Sequence, residues 1–138
     1  MADLVIRGGR IATAADISSC DIGIAGGKIV ALAQNLSKGA SEIDAKGRLV
    51  LPGGIDSHVH LAQPSGDGIV MADDFASGTL SAAFGGNTTV LTLCMQEKGT
   101  TLRESLKAYH AKAEGECYID VSFHLVVTDP TSYVLGQE

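Results

Sequence analysis

Apolar and polar residues alternate in short runs over the first 51 positions, and glycine-containing turns separate the runs. Alternation with a period of two is typical of β-strands that bury one face. Two such runs flank Gly26-Gly27, which predicts a β-hairpin at that point. The strands predicted in this region, with a turn at Gly8-Gly9 between the first two, are residues 4–6, 10–12, 21–24, 28–32, 41–44 and 49–51. We interpret residues 1–51 as a small all-β layer.

From Pro52 onwards, strand-like and helix-like stretches take turns along the chain. The predicted strands are residues 49–60, 88–93 and 119–127, and a polar loop over residues 62–72 follows the first of them. The predicted helices cover residues 75–84 after Asp73-Asp74, residues from Thr100 or Thr101 to about Ala113 with Glu104 in a capping box, and a last stretch opened by Asp129-Pro130. This alternation predicts an α/β fold with a parallel sheet.

The length of the chain limits what this sheet can be. An eight-stranded α/β barrel needs about 250 residues, or roughly 31 for each strand and its helix. Residues 52–138 can therefore hold fewer than three such units, and three parallel strands alone would leave open edges and a half-covered core. We expect this sequence to be an N-terminal piece of a longer polypeptide. The alternative is a small autonomous α/β protein.

Three polar residues, Asp56, His58 and His60, follow one another at a spacing of two where the strand over residues 49–60 ends. In a regular strand they would share one face, about 6.5–7 Å apart, so that both imidazoles could converge on a metal ion. The alternative is a solvated edge strand with two incidental histidines. The apolar lead-in and the Gly53-Gly54 pair favour the metal site, and we predict His58 and His60 as ligands.

The stretch from Pro52 to His60 resembles the Gly-x-Asp-x-His-x-His signature of the amidohydrolase superfamily, within it the cyclic amidohydrolase branch of hydantoinases and dihydropyrimidinases. The resemblance implies the start of a metal-dependent-hydrolase TIM (β/α)8 barrel over residues 52–138, preceded by part of a small β-sandwich domain over residues 1–51. It also implies two divalent metal ions, taken to be zinc, a bridging carboxylated lysine outside this chain, and a homotetramer.

The same resemblance gives expectations for the residues around the histidines. Asp56 could bind the metal, but its position earlier on the strand favours a hydrogen bond to a histidine ring. Dihydroorotases and many allantoinases place an arginine where this chain has Ala62, which weighs against an acidic substrate. The predicted substrate pocket is bordered by Gln63, Pro64 and Ser65. Pro64 matches the hydantoinases, whereas Ser65 replaces an aromatic residue that is common in them.

The implied function is metal-dependent hydrolysis of a cyclic amide, the ring opening of a hydantoin or dihydropyrimidine, by the full-length enzyme. We expect this chain alone to be inactive, because a catalytic zinc typically has three protein ligands and an open position. One alternative is an allantoinase-like or dihydroorotase-like cyclic amidohydrolase. Another is a non-catalytic dihydropyrimidinase-like paralogue acting in assembly, against which the retention of His58 and His60 weighs.

Composition narrows the classes of partner and compartment. A formal net charge of −6 without a Lys/Arg cluster argues against a nucleic-acid surface. Three cysteines without Cys-x-x-Cys spacing are expected to be small core residues in a reducing compartment. No signal peptide or membrane span is predicted, so we expect a cytoplasmic protein. The resemblance implies a small cyclic amide as its partner.

Overall fold

The computed structural model describes residues 1–66 and 68–137, and it divides the chain into two compact units, Met1–Pro52 and Gly53–Glu138. Asp67, within the predicted loop, and Glu138, at the end of the last predicted helix, lie outside the described residues. None of the helices in the described ranges is both long and apolar enough to cross a membrane.

The first unit is a five-stranded sheet, as the alternating pattern predicts. Its strands are β1 (Leu4–Ala12), β2 (Ile17–Ala25), β3 (Lys28–Ala33), β4 (Ser41–Asp44) and β5 (Leu49–Val50). They lie in the order β3-β2-β1-β4, and β5 also pairs with β1. The β1–β2 and β2–β3 pairs are antiparallel, whereas β4 and β5 run parallel to β1. The hairpin between β2 and β3 turns at Gly26-Gly27, both with positive φ, as predicted.

The predicted turn at Gly8-Gly9 is wrong, because β1 continues through both glycines. Ile6 pairs with Ile22 and Gly9 pairs with Cys20, so β1 carries one extra residue there, which is a β-bulge. Gly8 has a φ of 59°, and its amide donates to Oδ1 of Asp21 at 2.9 Å. A side chain from the neighbouring strand therefore holds the bulge.

Asp21 is a buried carboxylate with three donors around it. Besides Gly8, Arg7 donates to its Oδ2 at 2.9 Å and the amide of Leu36 donates at 3.1 Å. The hydrogen bond from the Gly8 amide, together with those from Arg7 and Leu36, lowers the pKa of Asp21 below its ordinary 3.8. The charged carboxylate thus links β1, β2 and the segment after β3.

The second unit is a parallel three-stranded sheet with helices between its strands, which confirms the predicted α/β alternation. Its elements are β6 (Gly54–Val59), α1 (Phe75–Phe84), β7 (Asn87–Met95), α2 (Leu102–Ala113), β8 (Asp120–Val126) and α3 (Ser132–Gln137). The strands lie in the order β6-β7-β8. The single strand predicted over residues 49–60 is wrong: β5 and β6 are separate strands, and Pro52-Gly53 lies in the break.

Capping residues explain two of the three helix starts. Asp74 caps α1 and Thr101 caps α2, each in a reciprocal capping box with the residue three positions on, as predicted for α2. The third start is later than predicted. The hydroxyl of Thr131 accepts from the Val134 amide at 3.2 Å, so α3 begins after Thr131 and Pro130 stays in the preceding loop.

One face of the parallel sheet carries the core of the second unit. Two side chains of β7 that share a face, Val90 and Cys94 at a spacing of four, pack with α1 and α2 through Phe75 and Tyr109. On β6, by contrast, Ile55 is 67% exposed. The sheet of the second unit therefore has one face covered by its helices, with apolar surface left open elsewhere.

We expect Asp21→Asn to lower the free energy of unfolding at neutral pH, because the neutral amide cannot match the carboxylate as an acceptor for all three donors. Since the folded pKa is depressed, the stabilisation is present above the unfolded value of about 3.8 and is lost as pH falls through the folded pKa. Urea unfolding as a function of pH measures this.

The matched control is Asp120→Asn, at an exposed position of β8. The wild type should lose more stability than Asp21→Asn between neutral pH and the acid range. An equal loss of stability at acid pH in the wild type and in Asp21→Asn would contradict this role of the Asp21 carboxylate.

Candidate metal centre

The two predicted ligands lie where β6 ends. His58 is the fifth residue of the strand and His60 is the first residue after Val59, at the strand's carboxyl end, and both are exposed within this chain. Their ring centroids are 5.2 Å apart, with an interplanar angle of 58°. The carboxyl ends of parallel strands are where α/β folds place their active sites. Two imidazoles at this separation are near enough to bind one ion together.

A β-bulge changes the alternation that the sequence predicts here. Asp56 is in register with Val90, and Val59 is in register with Thr92, so β6 has one residue more than β7 in this interval. Because Val90 and Thr92 lie on one face of β7, Asp56 and Val59 lie on that face as well. The expectation that Asp56 shares a face with both histidines is therefore wrong, although His58 and His60 stay close together.

Asp56 supports the backbone of the site. Its Oδ1 accepts from the backbone amide of His58 at 3.1 Å, rather than from an imidazole ring as expected. The carboxylate thus bridges the bulge within β6. Nearby, Nε2 of His124 donates to the carbonyl oxygen of Ser57 at 2.9 Å. This bond occupies one ring nitrogen of His124, which is exposed in this chain.

Leu61 anchors the chain directly after His60. Its side chain is 3% exposed within the core, and its amide donates to Oγ1 of the buried Thr92 at 3.2 Å. On the helix side, a Cβ on Gly78 would come within 2.3 Å of Leu61 Cδ2, so the glycine allows α1 to pack closely. The sequence indicated Gly78 only as part of a helix, because nothing local shows which residue it contacts.

The glycine pair before the histidines serves close packing of backbone. A Cβ on Gly53 would lie 2.7 Å from Cβ of Thr88 and nearer still to its outer atoms. A Cβ on Gly54 would lie 2.3 Å from Oδ1 of Asn87. Neither glycine has a positive φ, so close approach rather than backbone conformation excludes larger residues. The pair lets β6 begin against the first residues of β7.

The loop after His60 contributes the predicted pocket residues Gln63, Pro64 and Ser65. They border a cavity of about 350 Å³ together with Ala62 and other loop residues up to Asp74, but its lining includes neither His58 nor His60. Gln63 also reaches back to the site, where its Oε1 is hydrogen-bonded to Nδ1 of His60. Apart from the spacing of three residues, nothing in the sequence indicated this contact.

The donor set fits half of a metal centre. Neutral imidazole is a ligand for zinc and related cations, and the Nδ1 contact of His60 leaves its Nε2 available. Within residues 1–66 and 68–137, no three His, Cys, Asp or Glu side chains gather as a metal site would require. A catalytic ion needs at least one further ligand beyond these two.

Comparison with known proteins extends the resemblance to nearly the whole chain. The sequence is 47% identical over 134 residues to a D-hydantoinase of Geobacillus stearothermophilus, covering 96% of this chain and 28% of that protein. The solved D-hydantoinase of Bacillus sp. AR9 superimposes with a TM-score of 0.89 at 47% identity, over 96% of this chain and 29% of that one. This chain is homologous to the N-terminal part of D-hydantoinases.

A dihydropyrimidinase of Rattus norvegicus is also similar, with 36% identity over 131 residues, 91% of this chain and 25% of that protein. No protein-family model matches the sequence. The chain spans less than a third of the length of these relatives. The comparisons confirm the predicted fold class, the N-terminal α/β arrangement of hydantoinases, over the part of those proteins that this chain covers.

We expect Thr92→Val to lower the free energy of unfolding by about 1–3 kcal/mol, because the buried Leu61 amide loses its acceptor while side-chain volume is kept. Urea denaturation measures the loss. Thr89→Val, on the opposite face of β7, is the matched control and should cost less. Equal losses in the two variants would show that the Leu61 bond adds no stability.

Gly53→Ala should destabilise by about 1–3 kcal/mol, since the new methyl group meets Thr88 and the strands must move apart. The control is Gly66→Ala, where a Cβ meets nothing within 4 Å and φ is not positive. Thermal unfolding followed by circular dichroism compares the two. A stability of Gly53→Ala at or above that of Gly66→Ala would refute the close-approach argument.

Proposed function

We propose that the full-length polypeptide containing this chain is a metal-dependent cyclic amidohydrolase that opens hydantoin or dihydropyrimidine rings. The observation that carries the proposal is the pair of neighbouring imidazoles, His58 and His60, at the carboxyl end of β6, in a chain homologous to D-hydantoinases. The open apolar surface around Ile55 is explained if later strands complete a TM barrel over the second unit. A sandwich domain would likewise complete the sheet of residues 1–51.

In this proposal His58 and His60 hold a metal ion, and zinc is the metal we expect at a site built from imidazole. Divalent cations in such a site polarise the substrate carbonyl and lower the pKa of coordinated water towards neutrality. The further ligands, including a bridging carboxylated lysine and those of a second ion, come from outside this chain. The chain alone is therefore expected to be inactive.

The residues of this chain have supporting tasks around the ion. Asp56 holds the backbone amide of His58, and Leu61 fixes the chain beyond His60, so both imidazoles are presented from a restrained backbone. Pro64 and Ser65 line the loop cavity beside the site and form part of the substrate pocket in this proposal. Ala62 carries no charge with which to bind a substrate carboxylate, which favours neutral rings over dihydroorotate.

Cellular context belongs to the same proposal. We place the enzyme in the cytoplasm as a homotetramer that acts on a small cyclic amide, with neither a membrane nor a nucleic acid as its partner. The acidic net charge of −6 supports the last point.

The test is the double variant His58→Ala/His60→Ala in the full-length protein, measured for metal content by elemental analysis and for ring opening of hydantoin and dihydrouracil. We expect metal to fall below one ion per chain and activity to fall by at least about 1,000-fold, since the ligand set is broken. His110→Ala, which removes an exposed imidazole of α2 that contacts Phe123, is the matched control and should retain both.

Retention of stoichiometric metal and activity in the double variant would refute the assignment of His58 and His60 as metal ligands. Hydrolysis of allantoin or dihydroorotate, in place of hydantoin and dihydrouracil, would instead support an allantoinase-like or dihydroorotase-like function. A wild-type protein that purifies without metal and opens none of these rings would instead support the non-catalytic paralogue.

A further inference from the structure

Gln63 connects the loop after β6 to the carboxyl end of β7. Its half-buried side chain donates from Nε2 to the carbonyl oxygen of Leu93 at 3.2 Å, while its Oε1 is hydrogen-bonded to Nδ1 of His60. Ala62 lies in the turn that brings Gln63 there. Ala62 has a φ of 50°, and its amide donates to the carbonyl oxygen of Asp73 at 3.0 Å. Contacts with the rest of the fold therefore fix the position of Gln63.

The Leu93 carbonyl decides which way the Gln63 amide faces. A carbonyl oxygen can only accept, so the NH2 group of Gln63 must point to Leu93 and its oxygen must point to His60. With the amide reversed, two oxygens would oppose each other at hydrogen-bond distance. The acceptor beside His60 therefore requires a proton on Nδ1, and in the neutral ring Nε2 then carries the free lone pair.

We propose that Gln63 is a positioning residue that selects the Nδ1–H tautomer of His60 and presents Nε2 to the metal ion. The proposal rests on the proposed function, since it takes His60 to be a ligand. His60 is exposed in this chain, so without a partner its ring would be free to rotate and to exchange tautomers. A partner that removes this freedom before the ion arrives raises metal affinity, and losing such partners typically weakens binding 10–100-fold.

The contact also relates the site to the sheet. His60 follows β6 and Leu93 belongs to β7, so the glutamine ties the ligand to the neighbouring strand as well as to its own. Gln63 is consequently assigned to the metal centre as well as to the loop cavity that it borders. A change at this position should affect metal binding before it affects substrate selection.

The first measurement needs no substitution. In the metal-free full-length protein labelled with ¹⁵N, long-range ¹H–¹⁵N correlation spectra report which ring nitrogen of His60 carries the proton at a pH where the ring is neutral. We expect the Nδ1–H form to predominate. A predominant Nε2–H form would overturn the proposal whatever the variants do.

The second measurement compares affinities for Zn²⁺ by chelator competition and the visible spectrum of bound Co²⁺. Gln63→Met keeps the length of the side chain without the acceptor, and we expect its Zn²⁺ affinity to fall 10–100-fold with a changed Co²⁺ spectrum. Gln63→Glu keeps an acceptor for Nδ1 but places a carboxylate oxygen opposite the Leu93 carbonyl, so it should restore the affinity and the spectrum only in part. Gln34→Met, at an exposed position of the first unit, is the matched control and should change neither.

The outcomes separate this proposal from the one on which it rests. If His60→Ala weakens Zn²⁺ binding while Gln63→Met binds as tightly as wild type, the role of Gln63 is refuted and the metal centre stands. If His60→Ala binds Zn²⁺ unchanged, both proposals fail. Weakened binding in Gln63→Met with the Nδ1–H form of His60 still predominant would assign the loss to packing and also contradict the tautomer argument.

Discussion

The site depends first on the anchor immediately beyond it, the burial of Leu61. A strand end is ordinarily free to fray, and two exposed histidines there would have no fixed separation. The amide of Leu61 is bound to Thr92 inside the core, and its side chain fills the space that Gly78 leaves open on α1. Burying a leucine is worth about 1.5–3 kcal/mol, enough to hold the chain in one path at this point. The positions of His58 and His60 follow from that path.

Parallel-sheet geometry then brings distant residues to the same edge. Leu93 is 30 positions from Gln63 and His124 is 67 from Ser57, yet each pair is hydrogen-bonded beside the histidines. Each of these hydrogen bonds gives a backbone carbonyl a donor and at the same time orients the side chain that donates. In a site of this kind the restraint on a ligand comes from neighbouring strands, so the order β6-β7-β8 matters to chemistry as well as to stability.

Periodicity and capping residues predict most of the elements, because both act within a few residues of the chain. The two capped helices, the hairpin at Gly26-Gly27 and the α/β alternation are of this kind. The errors arise where a residue remote in sequence decides the local structure. At Gly8, where a turn was predicted, the hydrogen bond to Asp21 stabilises a β-bulge instead. In β6, pairing with β7 produces another bulge between Asp56 and Val59. Neither partner can be read from the neighbouring residues.

The same distinction explains how far the candidate site could be predicted. His58 and His60 are close in sequence and on one strand, so their spacing suffices to indicate a shared metal ion. Gln63 is equally near in sequence, but its role depends on the carbonyl of Leu93, which fixes the amide and through it the proton on the imidazole. A ligand's identity can therefore be local while its protonation and orientation are properties of the sheet. If a bound metal ion stabilises this arrangement of strand ends, part of the free energy of metal binding stabilises the contacts between the strands. Metal binding is then coupled to the folding of the whole parallel sheet.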